Sequence, residues 1–366
     1  MKKEVLLAGL LASFSVHAVE ISKDPTYAYA DVTATSKSHA LKVVPEKRIT
    51  LMNVKLTPSE KQQILKQAGS PLKNLALINN SLPSSVDIGM NNVPVLNQGA
   101  HGACVTFAAT AALNALINKG DYISQLCSLE LGANFEENGY MPSGWEGSFA
   151  PIVLNQLQQF GFVSKEQQRL HSCAGVYEYP IYDQENTGNA MNLKQFSALK
   201  ENYVLEEDDV DSPEEIGEVA WGWIPIMNVF DRFSKQLSNQ QEAFNSLMEV
   251  KKSLNAGNRV VFGTLIVTSA QCGKVACGSY KAMGDSWIET NSIAQQPLMI
   301  GGHEMVITGY DDNAVIFGKD GKMHMGLLKL RNSWGTDVGD KGNYYMSYEY
   351  FIKYGIEAQK MVSFKS

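Results

Sequence analysis

Basic residues are in short supply in this chain of 366 residues. Lysine and arginine together number 31 against 38 aspartates and glutamates, so the formal net charge is -7, and no basic cluster appears. Binding to nucleic acid or to an anionic membrane surface relies on such clusters, because they neutralise phosphates. The sequence therefore predicts neither kind of partner.

Long apolar runs are also scarce, and one stands out, from Val5 to Val16. It follows a basic start, Met1-Lys2-Lys3, and ends in Val16-His17-Ala18, a pattern that is typical of a secretory signal peptide. The run is too short to span a bilayer. We therefore expect residues 1–18 to be removed, no membrane anchor in the mature protein, and a secreted or periplasmic location.

Cysteine is sparse, with five residues in the chain. In the oxidising compartment that a signal peptide implies, five cysteines form at most two disulfides and leave one thiol. They lack the two close pairs of a structural zinc site, and the acidic run at 206–211 lacks the alternating ligands and central glycine of a calcium loop. The sequence predicts no metal and no cofactor.

The stretch from Gln98 to Leu116 contains the cysteine with the clearest chemical setting. Glycines lead to Cys104, which opens an apolar helix, so its sulfur lies where backbone N–H groups converge. That position lowers the pKa of a thiol and makes it a nucleophile. The Gln98 amide and the Cys104 N–H could together form an oxyanion hole. Taken alone, the stretch fits a buried structural cysteine equally well.

Two segments near the far end of the chain supply complementary groups. Residues 301–310 have the pattern of a strand with His303 near its start, and residues 328–335 that of a strand running into Asn332 and Trp334. An imidazole can take the thiol proton, an amide can fix the imidazole tautomer, and an indole can shield that hydrogen bond from water. These are the remaining parts of a thiol hydrolase.

In these motifs the chain resembles the papain-like cysteine peptidases. The residues that carry the resemblance, in the order of the family pattern, are Gln98, Gly102-Ala103-Cys104, Gly302-His303 and Asn332-Ser333-Trp334-Gly335. The resemblance implies Gln98 as oxyanion donor, Cys104 as nucleophile, His303 as general base and then acid, Asn332 as orienting partner and Trp334 as shield. It also covers Leu82–Asp87, which looks like the start of a mature enzyme, and Leu129-Glu130-Leu131.

The resemblance implies an α+β fold with two lobes and an N-terminal propeptide. We expect a helical lobe with an insertion over 82–225 and a sheet-rich lobe, antiparallel and barrel-like, over 226–366. Residues 19–81 would be a propeptide that occupies the cleft as an inhibitor until it is removed, and a permanent N-terminal extension is the alternative. Gly147 falls where family members have a glycine that lines the substrate groove, and Gly302 precedes the histidine at a position where some members carry an acid; we assign both to the groove.

Local signals predict several elements. Thr57 as N-cap, Pro58 at the first helical position and Glu60 three residues after the cap predict a helix that runs to about Ala68. Pro151 and Gly161 bracket a helix over 148–160. The periodicity predicts a further helix over 241–254 and a buried strand over 259–267.

The chain departs from the family pattern near the nucleophile. His101 stands where a disulfide-bonded cysteine is usual, and Val105 and Thr106 replace an aromatic and a small apolar residue. We expect His101 at the surface or in a loop, near enough to tune the thiol. Cys104 and His303 lie 199 positions apart, against about 130 to 150 in the family, which indicates an insertion, placed at 176–240.

With Cys104 as the free thiol, four cysteines remain, and these allow three pairings. Cys272 and Cys277 would close a short loop, and Cys127 with Cys173 would then clamp the first lobe. This pairing is preferred over the other two.

The function that we expect is that of a secreted, monomeric cysteine endopeptidase, made as a zymogen and acting on proteins or peptides through an acyl-enzyme intermediate. There are two alternatives: a non-catalytic binding protein of the same fold, and an acyltransferase or amidase on the same scaffold. Side-chain preference is open: Glu304 follows His303 and could favour basic substrate residues, unless strand alternation points it away from the groove.

Overall fold

The computed structural model describes residues 21–32, 45–68, 81–182, 190–201, 205–207, 219–224, 240–295 and 297–363. The predicted signal peptide at 1–18 and much of the predicted insertion at 176–240 lie outside these ranges. No helix within the described ranges is both long enough and apolar enough to cross a membrane.

Helices and strands are mixed along the chain, which confirms the α+β class. The helices of the described residues are α1 (Pro58–Ala68), α2 (Cys104–Ile117), α3 (Gln125–Glu137), α4 (Ala150–Phe160), α5 (Lys165–His171), α6 (Leu193–Leu199), α7 (Gln240–Asn255), α8 (Asn291–Gln295) and α9 (Tyr348–Tyr354). The strands are β1 (Ile21–Asp31), β2 (Glu46–Val54), β3 (Ser85–Asp87), β4 (Leu205–Glu207), β5 (Val219–Trp223), β6 (Arg259–Ser269), β7 (Ser286–Trp287), β8 (Pro297–Phe317), β9 (Met323–Arg331), β10 (Asn343–Ser347) and β11 (Gly355–Ser363).

The local signals for helix ends are confirmed. The Thr57 N–H donates to Glu60 Oε2 at 2.6 Å and the Glu60 N–H donates to Thr57 Oγ1 at 3.3 Å, a reciprocal cap before α1. Pro151 lies in the first turn of α4, and Gly161 follows its last residue with φ 77°. Helix α4 begins at Ala150 and not at residue 148, because Phe149 is extended and serves as its N-cap.

The strands form one sheet in which most neighbours are antiparallel. Its order is β4-β5-β11-β6-β8-β9-β10-β7, with β2 and β3 also paired to β8 and β1 paired to β2. The sheet is open in the described residues, since its end strands β4 and β7 do not pair with each other, so the barrel-like closure that we expected is absent. Strand β5 pairs with β11 and so belongs to the sheet. In the sequence it precedes residue 226, where we predicted that the sheet-rich lobe begins.

Two hydrophobic cores lie on opposite faces of this sheet. Strand β6 is buried along its whole length, and near its start successive residues belong to different cores: Val261 packs with helices α2 to α4, and Phe262 packs with α7 and α9. The same alternation holds on β8, where Val306 belongs to the first core and Met305 to the second. Strand β8 therefore presents one face to α2, the helix that Cys104 opens.

Candidate active site

Cys104 is the first residue of α2 and is fully buried. Its sulfur lies 3.8 Å from the carbonyl oxygen of Gly102, and the backbone N–H of Glu304, on β8, is directed at it. A Cβ at Gly102 would lie 2.7 Å from the backbone oxygen of Glu146, so the turn before the cysteine needs glycine for this close approach. The sulfur thus lies between the start of α2 and the residue that follows His303.

His303 and Asn332 are joined by the pairing of their strands. His303 lies on β8, and Asn332 directly follows β9, which runs antiparallel to β8. His303 Nε2 and Asn332 Oδ1 are 2.8 Å apart. Because an amide oxygen only accepts, Nε2 carries the proton and Nδ1 has a free lone pair. Within the described residues no hydrogen bond engages Nδ1.

The Trp334 ring covers this hydrogen-bonded pair. It stacks on the His303 ring with centroids 4.4 Å apart and an interplanar angle of 25°. Trp334 is itself held by Trp287 and Tyr344, whose rings lie 6.1 and 5.4 Å from it. The predicted shield therefore lies against the imidazole as a wall of aromatic rings.

Burial keeps both Cys104 and His303 uncharged in this form of the protein. Burial is the main cause and the nearby Glu304 carboxyl the second; together they raise the pKa of the Cys104 thiol to about 12. Loss of solvent also lowers the pKa of His303 to about 4, against the opposing effect of its hydrogen bond to Asn332. A thiol and a neutral imidazole are consequently the stable pair while the site is covered.

Gln98 is held from three directions beside Cys104. Its Nε2 donates to the His101 carbonyl at 2.9 Å, and its Oε1 accepts from Ser333 Oγ at 2.8 Å. The Tyr179 hydroxyl donates to the Gln98 carbonyl oxygen at 2.9 Å. Nε2 also approaches the Thr50 carbonyl at 3.4 Å. The amide predicted to stabilise an oxyanion is thus fixed in place, with a backbone carbonyl of β2 already beside it.

His101 lies in the loop before α2, as expected, but it is buried and not at the surface. Its ring packs edge-on against Trp145 and Tyr179, with centroids 4.8 and 5.6 Å away, and its Nε2 lies 2.7 Å from the Pro180 carbonyl oxygen. Trp145 and Tyr179 stack on each other. Aromatic contacts therefore join the Gln98 loop to the rest of the helical side, at the position where the family has a disulfide.

Strand β2 crosses the site from the Trp334 end to the Gly302 end. Lys47 Nζ donates to the Trp334 carbonyl at 2.7 Å, and the Thr50 hydroxyl donates to the Ala100 carbonyl at 3.0 Å. Further along, Met52 pairs with Gly302 of β8. The side chain of Met52 also lies against Gly147, where a Cβ would come within 2.9 Å of Met52 Cγ. The two predicted groove glycines therefore flank one side chain of β2.

The C-terminal part of the chain matches a protein family. Residues 232–363 match the model described as the Peptidase C1-like family. This region is Peptidase C1-like. The match confirms the resemblance to papain-like cysteine peptidases that the motifs predicted, and with it the predicted class of enzyme, a cysteine-type peptidase. A search of curated proteins found no match.

Several solved structures are similar to the chain at low identity. Xylellain, a cysteine protease from Xylella fastidiosa, is 18% identical with a TM-score of 0.48, over 81% of this chain and 91% of that one. The proform of the Amb a 11 cysteine protease of ragweed pollen is 17% identical with a TM-score of 0.44, over 85% and 80%. Procathepsin L 3 of Tenebrio molitor is 14% identical with a TM-score of 0.41, over 82% and 78%.

The disulfides have the preferred pairing. Cys127 is bonded to Cys173 and Cys272 to Cys277, with Cα atoms 5.0 and 5.3 Å apart, and Cys104 is free. The first bridge ties α3 to the loop after α5, and the second closes a short loop after β6 within the Peptidase C1-like region. In the described residues, no group of three or more His, Cys, Asp or Glu side chains is arranged to hold a metal ion.

Sequence reasoning missed a second acidic residue at the site. Glu357 of β11 is buried beside Glu304, and Gly263 of β6 lies between them. Residue 357 is 53 positions from Glu304 along the chain, and no periodicity links the two. The Gly-Ile-Glu at 355–357 offered no signal by itself, because the contact depends on the register of three strands.

Proposed function

We propose that this chain is a cysteine endopeptidase made as a zymogen, in which Cys104, His303 and Asn332 hydrolyse peptide bonds. The observation that carries the proposal is the Asn332-bound imidazole of His303, with its free Nδ1, on the strand that also directs a backbone N–H at the Cys104 sulfur. Each group has the state that its step requires.

The chemistry proceeds in two halves. Nδ1 of His303 takes the thiol proton, the Cys104 sulfur attacks the peptide carbonyl carbon, and the carbonyl electron pair moves to the oxygen. The Gln98 amide and the Cys104 N–H donate to that oxyanion. When it collapses, the carbon–nitrogen bond breaks and His303 gives its proton to the leaving amine. Water, deprotonated by His303, then attacks the thioester, releasing the carboxylate and the thiol.

Residues 19–81 act as the inhibitory segment, and residues 82–225 and 226–366 form the two lobes of the active enzyme. Three contacts of β2 support this: Lys47 with the Trp334 carbonyl, Thr50 with the Gln98 amide, and Met52 with Gly302. While β2 is in place, Cys104 and His303 are buried, so a substrate cannot reach them. Departure of β2 hydrates the site, which lowers the pKa of the thiol and raises that of the imidazole toward a thiolate–imidazolium pair.

Secretion belongs to the same proposal. Two disulfides in the described residues support an oxidising compartment, where such bridges persist. The signal peptide predicted at residues 1–18 would deliver the chain there.

The test uses the full chain with two substitutions of the nucleophile, Cys104→Ala and Cys104→Ser. We expect both to lower peptide turnover by about a thousandfold or more, with a melting temperature close to that of the parent. Asn332→Ala should lower kcat and shift its pH profile, since the imidazole loses its orienting partner. Full activity in Cys104→Ala would remove the mechanism, and transferred rather than hydrolysed acyl groups among the products would identify an acyltransferase.

Sequencing the N-terminus of the active species tests the zymogen. We expect a new start near Leu82 and no turnover before it appears. Full activity in a species that still begins at residue 19 would show that the segment is a permanent extension.

A further inference from the structure

Two carboxyls lie together on the face of the sheet that packs against helices α2 to α4. Glu304 on β8 and Glu357 on β11 both pair in register with Gly263, on the strand between them. A Cβ at Gly263 would lie 2.5 Å from Glu304 Oε2 and 2.8 Å from Glu357 Cγ. The two side chains therefore meet in the space that a larger residue at 263 would fill.

This acidic pair, Glu304 and Glu357, is buried with few partners. Glu357 accepts from the Ala150 N–H at 3.0 Å and from Gln359 Nε2 at 3.4 Å. Glu304 is fully buried; its carboxyl is within hydrogen-bonding reach of the Glu357 carboxyl, and no other group of the described residues donates to its oxygens. Burial and the mutual approach of the two groups raise the pKa of Glu304, and burial raises that of Glu357 to about 7.

The acidic pair lies beside the pocket that Met52 occupies. Successive residues of a strand point to opposite faces, so Glu304 and Gly302 share one face and are about 7 Å apart. Met52 passes over Gly302, with its Cε 3.0 Å from the position of a Cβ there, and over Gly147. Strand alternation thus directs Glu304 toward the groove and not away from it. Ala150, which donates to Glu357, follows Gly147 by three residues, so the groove and the acidic pair share one wall.

We propose that, once β2 has left, this pocket takes a basic side chain of the substrate, arginine or lysine, which pairs with Glu304 and Glu357. The inference rests on the proposed function and adds its substrate class. A guanidinium or ammonium group reaches further than the Met52 thioether and brings the donors that Glu304 lacks. A cation between two carboxyls also favours their charged forms, whereas an apolar methionine leaves them to share protons. Strand β2 is then a weaker ligand for the pocket than a basic peptide.

The first test is a double-mutant cycle in the full chain, in a Cys104→Ala background that prevents self-cleavage. It combines Met52→Arg with Glu304→Gln and measures urea unfolding at pH 8. We expect the introduced guanidinium to pair with Glu304, so that losing Glu304 raises the unfolding equilibrium constant at least about tenfold more in the Met52→Arg chain than in the parent. Glu289→Gln, at another buried carboxyl, is the matched control and should show no coupling to Met52→Arg.

The second test measures turnover by the full chain on a peptide library varied at each position in turn. We expect one position at which arginine and lysine exceed leucine and methionine by about tenfold, with that preference lost in Glu304→Gln and kept in Glu289→Gln. Met52→Lys replaces Met52→Arg in the cycle if the arginine chain does not fold.

The outcomes separate the two claims. An additive cycle, or turnover with no basic preference, overturns this inference and leaves the peptidase standing. Coupling in the cycle without any turnover keeps the acidic pocket and removes the proposed function. If neither the Met52→Arg chain nor the Met52→Lys chain folds while Glu304 is present, the pocket rejects a basic side chain, and that result also overturns the inference.

Discussion

The partly buried carboxyl of Glu349 and the buried pair Glu304 and Glu357 have opposite surroundings. Glu349, in the first turn of α9, has three basic neighbours: Lys322 Nζ at 2.8 Å, Lys353 Nζ at 3.0 Å and His324 Nδ1 at 3.2 Å. Although burial alone would raise it, the pKa of Glu349 lies well below its usual range because of these hydrogen bonds and charges. Glu349 is an ion held by its own fold.

The acidic pair at the groove has no such neighbours. The donors to Glu357 are a backbone N–H and an amide, Glu304 has no partner in the described residues besides the Glu357 carboxyl, and the pKa of both is raised. The fold places three basic side chains around Glu349 and none around the acidic pair in the described residues. Leaving two carboxyls without a cation beside a groove is what a binding site for a cation requires.

The largest effect is expected from removing Glu349 from its basic neighbours. Glu349→Ala leaves the buried Lys353 without its anion, so we expect the free energy of unfolding to fall by about 3 kcal/mol. Urea unfolding at pH 7 measures it. The control is Glu249→Ala, which removes an exposed i,i+3 pair with Lys252 and should cost about 0.5 kcal/mol or less. Equal losses in the two variants would mean that Glu349 is no better held than a surface carboxylate.

The next effect tests the space that the acidic pair occupies. Gly263→Ala places a methyl group on Glu304 Oε2 and Glu357 Cγ, and overpacking of this kind costs about 2 kcal/mol. Adding Glu304→Ala should recover part of that loss, because the nearer of the two obstructing groups is gone while Glu357 Cγ remains. If the double variant is no more stable than Gly263→Ala alone, the carboxyl does not lie over Gly263.

A smaller effect concerns pH, and its sign differs between the two groups. Because the folded pKa of Glu357 is about 7, above its ordinary value of 4.5, the folded state holds more protons between these values, and stability falls as pH rises from about 4.5 to 7. Glu357→Gln should flatten this decline by about 1 kcal/mol. Glu349, with a lowered pKa, instead loses its contribution as pH falls below about 4.5. Chemical unfolding from pH 3 to 8 measures both arms, and a decline unchanged in Glu357→Gln would contradict the raised pKa of Glu357.

The smallest effect concerns the contribution of Lys322 to the surroundings of Glu349. Lys322 is the most exposed of the three partners of Glu349, with 40% of its side chain accessible. We expect Lys322→Met to cost about 0.5 kcal/mol, since Lys353 still neutralises the carboxylate. The acid arm of the pH profile should survive in this variant and vanish in Glu349→Ala. Loss of that arm in Lys322→Met would make the exposed lysine the principal partner.

Much of the site was predictable because its motifs are local. A cysteine after glycines at a helix start, a histidine early in a strand and Asn-Ser-Trp-Gly after another can each be recognised within a few residues. The reciprocal cap at Thr57 and the buried strand at 259–269 were predictable for the same reason. Glu357 and the burial of His101 were not, since each depends on partners brought from other segments.

The sequence by itself determined which residues we propose for the chemistry, because a candidate nucleophile, base and orienting amide are identified by side-chain type and by the few residues around them. Only the tertiary structure decided that β2 lies across the site, that a ring cluster stands where a disulfide was expected, and that Glu304 and Glu357 share one space over Gly263. The physical reason is strand register: a shift of one residue turns every side chain of a strand to the other face. Which carboxyl meets which is therefore set by the pairing of β6, β8 and β11, and not by any one of them.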